Sequence, residues 1–155
     1  MKQVALAVAT FGYVGFFPIA PGTAGSLAAL ILFAVIRWIG MPAVELAAIA
    51  VVLVVGIWAS NGAEAALEQK DPGPVVIDEV LGMLITLALL PVSLMGVLAG
   101  FLLFRIFDIV KPYPASRLEH LHGGLGIMLD DAMAGVYAWL VLRGLIYLAP
   151  AWLAA

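Results

Sequence analysis

The sequence predicts an all-α membrane protein, a polytopic helical bundle with a short re-entrant or hairpin pair and interfacial loops. Two observations on composition and one on charge placement predict it. Hydrophobic residues make up 65% of the 155 residues and charged residues 11%, where a soluble domain sits near half and a quarter. The mean hydropathy is +1.17, and a soluble fold of this size keeps too much of its area in water to hide that much apolar surface. The charges cluster, leaving apolar runs long enough to enter a bilayer. The length suits one domain, taken as 1–155.

Each element can be justified in order. After Met1-Lys2-Gln3 the apolar stretch reads as the first hydrophobic element rather than a signal peptide, because the Gly/Pro-rich continuation from Gly12 to Gly25 does not look like a cleavage region. Ala24 to Ile36 is the body of a first spanning helix, ended by Arg37-Trp38, with a turn at Gly40-Met41-Pro42. Glu45 opens a second helix, uncharged from Leu46 to Ala63. A polar segment from Asn61 to Glu79 contains the turn Asp71-Pro72-Gly73-Pro74. Val80 to Phe104 is apolar but broken at Pro91-Val92-Ser93. A second polar segment runs from Arg105 to Asp131, and the last stretch, Ala132 to Ala155, is apolar apart from Arg143.

The middle stretch allows two readings. As one kinked helix it places the two polar segments on opposite faces; as a hairpin turning at Pro91 to Ser93 it keeps them on one face, with arms of ~20 Å. Local sequence does not decide between them. With the hairpin, Lys2, Lys70, Arg105, Lys111 and Arg117 share one face and Arg37 lies on the other, the asymmetry expected of a cytoplasmic polar face. Small residues recur at helix-contact spacing in Gly56 and Ser60, Ala59 and Ala63, Gly96 and Gly100, and Ala134 and Ala138.

A net charge of −3 offers no footprint for a phosphate backbone, so no nucleic acid is expected. The absence of cysteine excludes a disulfide scaffold, a Cys/His zinc site and a cysteine nucleophile. The acids carry the chemistry. Asp78-Glu79 sits at the mouth of one apolar helix and Asp130-Asp131 at the mouth of another. One acid can cap a helix; a second adds repulsion unless a cation neutralises it, and Mg²⁺, with its preference for a few carboxylates plus phosphate, is the natural partner. Arg105, Asp108 and Lys111 are spaced along one side of a helix end, either as a salt-bridge ladder or as a cationic pair for phosphate. Pro18 to Ser26 and Gly123-Gly124-Leu125-Gly126 are Gly-rich helix entries that offer N–H groups to anions or simply turn the chain; neither is a Walker loop. His120 and His122 read as solvated.

Four of these segments, taken together, resemble phosphatidylglycerophosphatase A. They are Ala20-Pro21-Gly22-Thr23-Ala24-Gly25-Ser26, Asp71 to Glu79 (DPGPVVIDE), Phe104 to Pro114 (FRIFDIVKPYP) and Gly123 to Asp131 (GGLGIMLDD), in order over nearly the whole chain. The resemblance implies a multi-pass enzyme of the bacterial inner membrane, with its site facing the cytoplasm. It also implies an all-helical fold, Mg²⁺ as cofactor, and removal of the terminal phosphate of phosphatidylglycerophosphate to give phosphatidylglycerol. On that basis Asp78, Glu79, Asp130 and Asp131 are expected to hold the metal, with Asp108 a ligand or water-orienting base. Arg105, Lys111, Thr23 and Ser26 are expected to bind the substrate. Glu64, Glu68 and Asp71 have no assigned role, and the nucleophile, metal count and oligomeric state, including a homo-oligomer, stay open. The competing readings are a small cation- or proton-coupled transporter subunit, whose acids would sit near the midplane, and an assembly factor whose acids only cap helices.

Overall fold

The computed structural model describes residues 2–118 and 120–155. They form eight α-helices: α1 (Lys2–Ala9), α2 (Pro21–Ile39), α3 (Pro42–Leu67), α4 (Ile77–Leu87), α5 (Leu94–Val110), α6 (Ala115–Leu118), α7 (Gly124–Leu148) and α8 (Pro150–Leu153), with one 3₁₀ turn at Val14–Phe16. Among the described residues the only strand-like pairing is a bridge between Val92 and Ala154. The expected all-α class is what the chain adopts. Three helices, α2, α3 and α7, are long and apolar enough to cross a membrane.

Prolines fix the helix starts. Pro21 and Pro42 occupy the first positions of α2 and α3, where the missing N–H is not needed. Gly40 ends α2 in the left-handed conformation at φ 72°, its N–H donating to the Arg37 carbonyl. The middle stretch is a hairpin: α4 runs down, 88–93 turns, and α5 runs back up. Ser93 accepts the Gly96 N–H and caps α5, while its own N–H reaches the Leu153 carbonyl at 2.9 Å. Both polar segments therefore share one end of the bundle. At 11 residues α4 is about 16 Å long, too short to span.

This short helix is the core. Eight of its residues are buried, wrapped by α2, α3, α5 and α7. Glycines let the helices close on it. A Cβ on Gly82 would strike the Phe104 ring and come 2.9 Å from the Asp131 carbonyl, and one on Gly135 would strike the Gly82 carbonyl. The small residues expected at contacts are all there: Gly56 lies against Met128, Gly100 against Leu87 and Leu142, Gly96 against the Leu153 carbonyl, and Ala59, Ala63, Ala134 and Ala138 are fully buried. Outside, Leu94, Met95, Leu98, Leu102, Ile106 and Ile109 of α5 are exposed, a stripe fit for lipid. Trp38, Tyr147 and Trp152 stand exposed near the end away from the polar segments, as interfacial aromatics do.

Two boundaries differ from expectation. The second helix begins at Pro42 rather than at Glu45, and Glu45 is buried: its carboxylate accepts from Arg37 at 3.0 Å and from the Leu89 N–H at the hairpin tip at 2.8 Å. The last helix begins at Gly124, not Ala132. Asp130 and Asp131 thus lie nearly two turns inside α7, where they cap nothing.

Candidate metal centre and active site

The acids converge where α2, α4, α5 and α7 meet. Ile77 starts α4 and Asp78 and Glu79 fill its first turn, yet neither caps it, since the N-cap Val76 has no side-chain bond. Asp131 approaches from α7 across the Gly82 contact. One ligand oxygen each from Asp78, Glu79 and Asp131 lie within 4.8 Å of one another. Asp78 Oδ1, Glu79 Oε2 and Asp131 Oδ2 are buried without a hydrogen-bond partner. Unpaired buried carboxylate oxygens are costly, and three carboxylates this close together, each with one such oxygen, ask for a cation.

The flanking groups are paired. Arg105 Nη1 donates to Asp108 Oδ2 at 2.5 Å and stands 3.9 Å from Glu79 Oε1. Lys111, left-handed at φ 44° just past α5, leaves the Arg105–Asp108 line and donates to Asp130 Oδ2 at 2.6 Å. Asp130 Oδ1 accepts the Asp131 N–H at 2.9 Å. Of the four acids expected to hold the metal, three therefore meet, while both oxygens of Asp130 are occupied by Lys111 and the backbone.

Asp78 and Glu79, outside the three spanning helices, show the strain of this crowding. Burial, then the neighbouring Glu79, pushes Asp78 well above the usual carboxylate range. Burial pushes Glu79 up to about 8, against the lowering pull of its hydrogen bond with Asp78; the Asp131 and Asp108 carboxylates raise it further, and Arg105 lowers it. Two cations face five acids here, so the site holds protons unless a metal replaces them.

The donor set fits Mg²⁺. All three groups are hard carboxylates, and an octahedral ion with oxygens at 2.0–2.1 Å separates neighbouring ligands by about 3 Å and opposite ones by about 4 Å. A spread of 4.8 Å needs only a small contraction.

The start of α2 closes the site. A Cβ on Gly22 would collide with Glu79 Oε1 and lie 3.2 Å from Arg105 Nη1, so only glycine lets the helix N-terminus come this close. Thr23 is half-buried on the same turn. Ser26, expected to bind substrate, is buried and donates its hydroxyl hydrogen to the Gly22 carbonyl at 2.8 Å, bracing the helix entry.

Three residues outside the expected set support the site. Asn61 Oδ1 accepts the Gly124 N–H at 2.8 Å, fixing the start of α7. Glu64 Oε1 accepts the Asp71 N–H at 3.0 Å, holding Asp71 at φ 46° in the loop before α4. Gly22 is the third, flagged in sequence only by its Pro-Gly-Thr context. Glu68, left-handed and exposed, ends α3, and His120 and His122 are exposed.

A family profile described as Phosphatidylglycerophosphatase A matches residues 7–146. The chain belongs to the phosphatidylglycerophosphatase A family. Membership makes it a phosphatase, a phosphoric monoester hydrolase. Among its relatives, a protein of Bacteroides thetaiotaomicron provisionally named a phosphatidylinositol-3-phosphatase is 42% identical over 83% of this chain and 84% of its own length. Phosphatidylglycerophosphatase A of Escherichia coli K12 is 36% identical over 86% of this chain and 76% of its own. That of Haemophilus influenzae Rd is 38% identical over 83% and 80%. No solved structure matches the chain. The phosphatidylglycerophosphatase A match spans all four sequence motifs and every acid of the cluster.

Proposed function

We propose that the protein is a Mg²⁺-dependent phosphatidylglycerophosphatase of the bacterial inner membrane, hydrolysing phosphatidylglycerophosphate at the cytoplasmic face. The observation that carries the reading is the convergence of Asp78, Glu79 and Asp131 with one unpartnered buried oxygen each. The cluster lies at one end of the bundle, where a headgroup sits, and not at its middle, where a coupled transporter binds its ions. Lys70, Arg105, Lys111 and Arg117 lie at that end, which argues for the cytoplasmic side.

Asp78, Glu79 and Asp131 would hold the ion, with Asp130 oriented behind them by Lys111. When bound, Mg²⁺ supplies positive charge against the phosphoryl oxygens and lowers the pKa of water. Arg105, braced by Asp108 and Glu79, binds a phosphoryl oxygen and neutralises charge developing in the transition state. The free N–H groups at the start of α2 and the Thr23 hydroxyl bind a second. Asp108 accepts the proton of the attacking water. Water oxygen bonds to phosphorus, the bond to the glycerol oxygen breaks, and the leaving oxygen takes up that proton. The acyl chains stay in the bilayer throughout.

A second reading concerns only the substrate: the Bacteroides relative carries the name of a different lipid phosphomonoester, phosphatidylinositol 3-phosphate. One assay separates them. Purified protein in detergent is given phosphatidylglycerophosphate, phosphatidic acid or phosphatidylinositol 3-phosphate, with Mg²⁺ or with chelator. Phosphate release is expected from the first, abolished by chelator and restored by Mg²⁺. Preference for the inositol lipid would move the protein to the second reading; full activity in chelator would remove the metal.

A further inference from the structure

At the end of the bundle away from the acids, a cavity of about 390 Å³ is lined by Arg37, Gly40, Pro42, Glu45 and Leu89. An apolar groove of about 260 Å³ between α3, α4 and α7 adjoins it, lined by Leu46, Ile49, Ile85, Ala88, Leu89, Val136 and Trp139. Leu89 belongs to both, and Glu45 of the first precedes Leu46 of the second, so polar cavity and apolar groove share a wall at the hairpin tip.

Their heights are ordered. On α3, which rises from this end, Glu45 comes first, then Leu46 and Ile49. On α4 and α7, which descend to it, Ile85 lies deeper than Ala88, and Val136 deeper than Trp139 and Arg143. α3 and α7 thus place their charged groups at the membrane face, and all three helices place apolar groups toward the midplane, over about 10 Å from Val136 to Arg143.

Arg37 lines the polar cavity, and Arg143 lies one turn beyond the groove residue Trp139 on α7, toward the same membrane face. Arg37 donates to Glu45. Arg143 lies with its guanidinium 5.0 Å from the centre of the Trp139 ring and has no carboxylate partner among the described residues. Glu45 already accepts from Arg37 and from Leu89, so the balance of charge around the groove mouth is positive.

We infer that this cavity and groove form a seat for an anionic phospholipid of the leaflet opposite the active site, with its phosphate between Arg37 and Arg143 and one acyl chain along Leu46, Ile49, Ile85 and Val136. The seat is distinct from the acid cluster, about 18 Å away along α7 from Asp131 to Arg143, and does not depend on which lipid the enzyme hydrolyses. Its occupant would fasten the hairpin tip, since Leu89 lines both compartments.

Trp139 reports on the groove directly. The variant Trp38→Phe, Trp58→Phe, Trp152→Phe leaves it as the sole tryptophan. The protein is reconstituted in phosphatidylcholine vesicles containing rising fractions of chain-brominated phosphatidylserine or, separately, chain-brominated phosphatidylcholine, and Trp139 quenching is followed. Brominated phosphatidylserine should reach half-maximal quenching at a mole fraction about fivefold lower, as expected for a basic residue at an anionic headgroup. Adding Arg143→Gln, at an exposed position, should bring the two curves together, and Arg37→Gln should do the same where that variant folds. Equal curves in the parent protein, or a difference that survives Arg143→Gln, would overturn the inference. So would the failure of either lipid to quench, which would place protein, such as a second copy of the chain, over the groove.

Discussion

Asp78, Glu79 and Asp131 each present a buried oxygen with nothing to accept from, and at the scale of single residues the proposed chemistry is tested on them. Asp78→Asn and Asp131→Asn remove the charge at nearly constant shape, and each should cut turnover by at least about a hundredfold, more than the loss typical of a group outside the ligand set. Phosphate release from detergent-solubilised variants that keep the parent's helical circular dichroism checks this. Glu79 makes a second prediction. Its folded form keeps a proton up to about 8 while the unfolded chain loses it near 4.5. Between those values the native state binds more protons, so metal-free stability falls as pH rises. Thermal unfolding in chelator across that range should show a declining midpoint, and Glu79→Gln should make the decline shallower, with the remainder due to Asp78, which burial also raises. Mg²⁺ should stabilise progressively more over the same interval, because its ligands must give up their protons.

At the scale of elements, α4 holds the site together by packing closely on α7. Gly82→Ala places a methyl group against the Phe104 ring and the Asp131 carbonyl, and should destabilise the protein by about 1–3 kcal/mol, with activity falling because Asp131 moves with its helix. A urea or thermal series in detergent reads the first effect and an assay at saturating Mg²⁺ the second. Much of this was legible beforehand. The apolar runs gave α2 and α3 to within a few residues, Pro91 to Ser93 marked a break that local sequence left open as kink or turn, and the paired acids pointed to a cation. What was not legible has a common cause. Hydropathy ends a helix where charge begins, so Asp130-Asp131 looked like the entry to α7, although their side chains point inward to a polar site and the helix continues around them. Glu45 looked like an opener for the same reason, and its tie to Leu89, 44 residues away, has no local trace. Lys111 fitted the spacing of a ladder with Arg105 and Asp108, but the left-handed turn at its own backbone carries it to Asp130.

For the molecule as a whole, the hairpin fixes sidedness. Gly73, with nothing within 4 Å of a Cβ built on it, and exposed His122 lie at the acid end, while Met41 lies at the other. Single substitutions Gly73→Cys, His122→Cys and Met41→Cys in a chain without cysteine should divide two to one when intact cells are treated with an impermeant maleimide. Labelling of Met41→Cys alone without permeabilisation is expected. Labelling of Gly73→Cys without His122→Cys, or of His122→Cys without Gly73→Cys, would place the two polar segments on different faces and separate the acids.

The brevity of α4 bears on how the protein is made. A helix of 11 residues with two acids in its first turn is too short to span the bilayer and carries charge that is costly to bury there. Its shelter on one flank is α7, which the ribosome produces some 50 residues later. Until then Asp78 and Glu79 have no Asp131 beside them, and the hairpin waits, half-housed, for the last long helix. The three acids can meet only after α7 has been made and packed against α4.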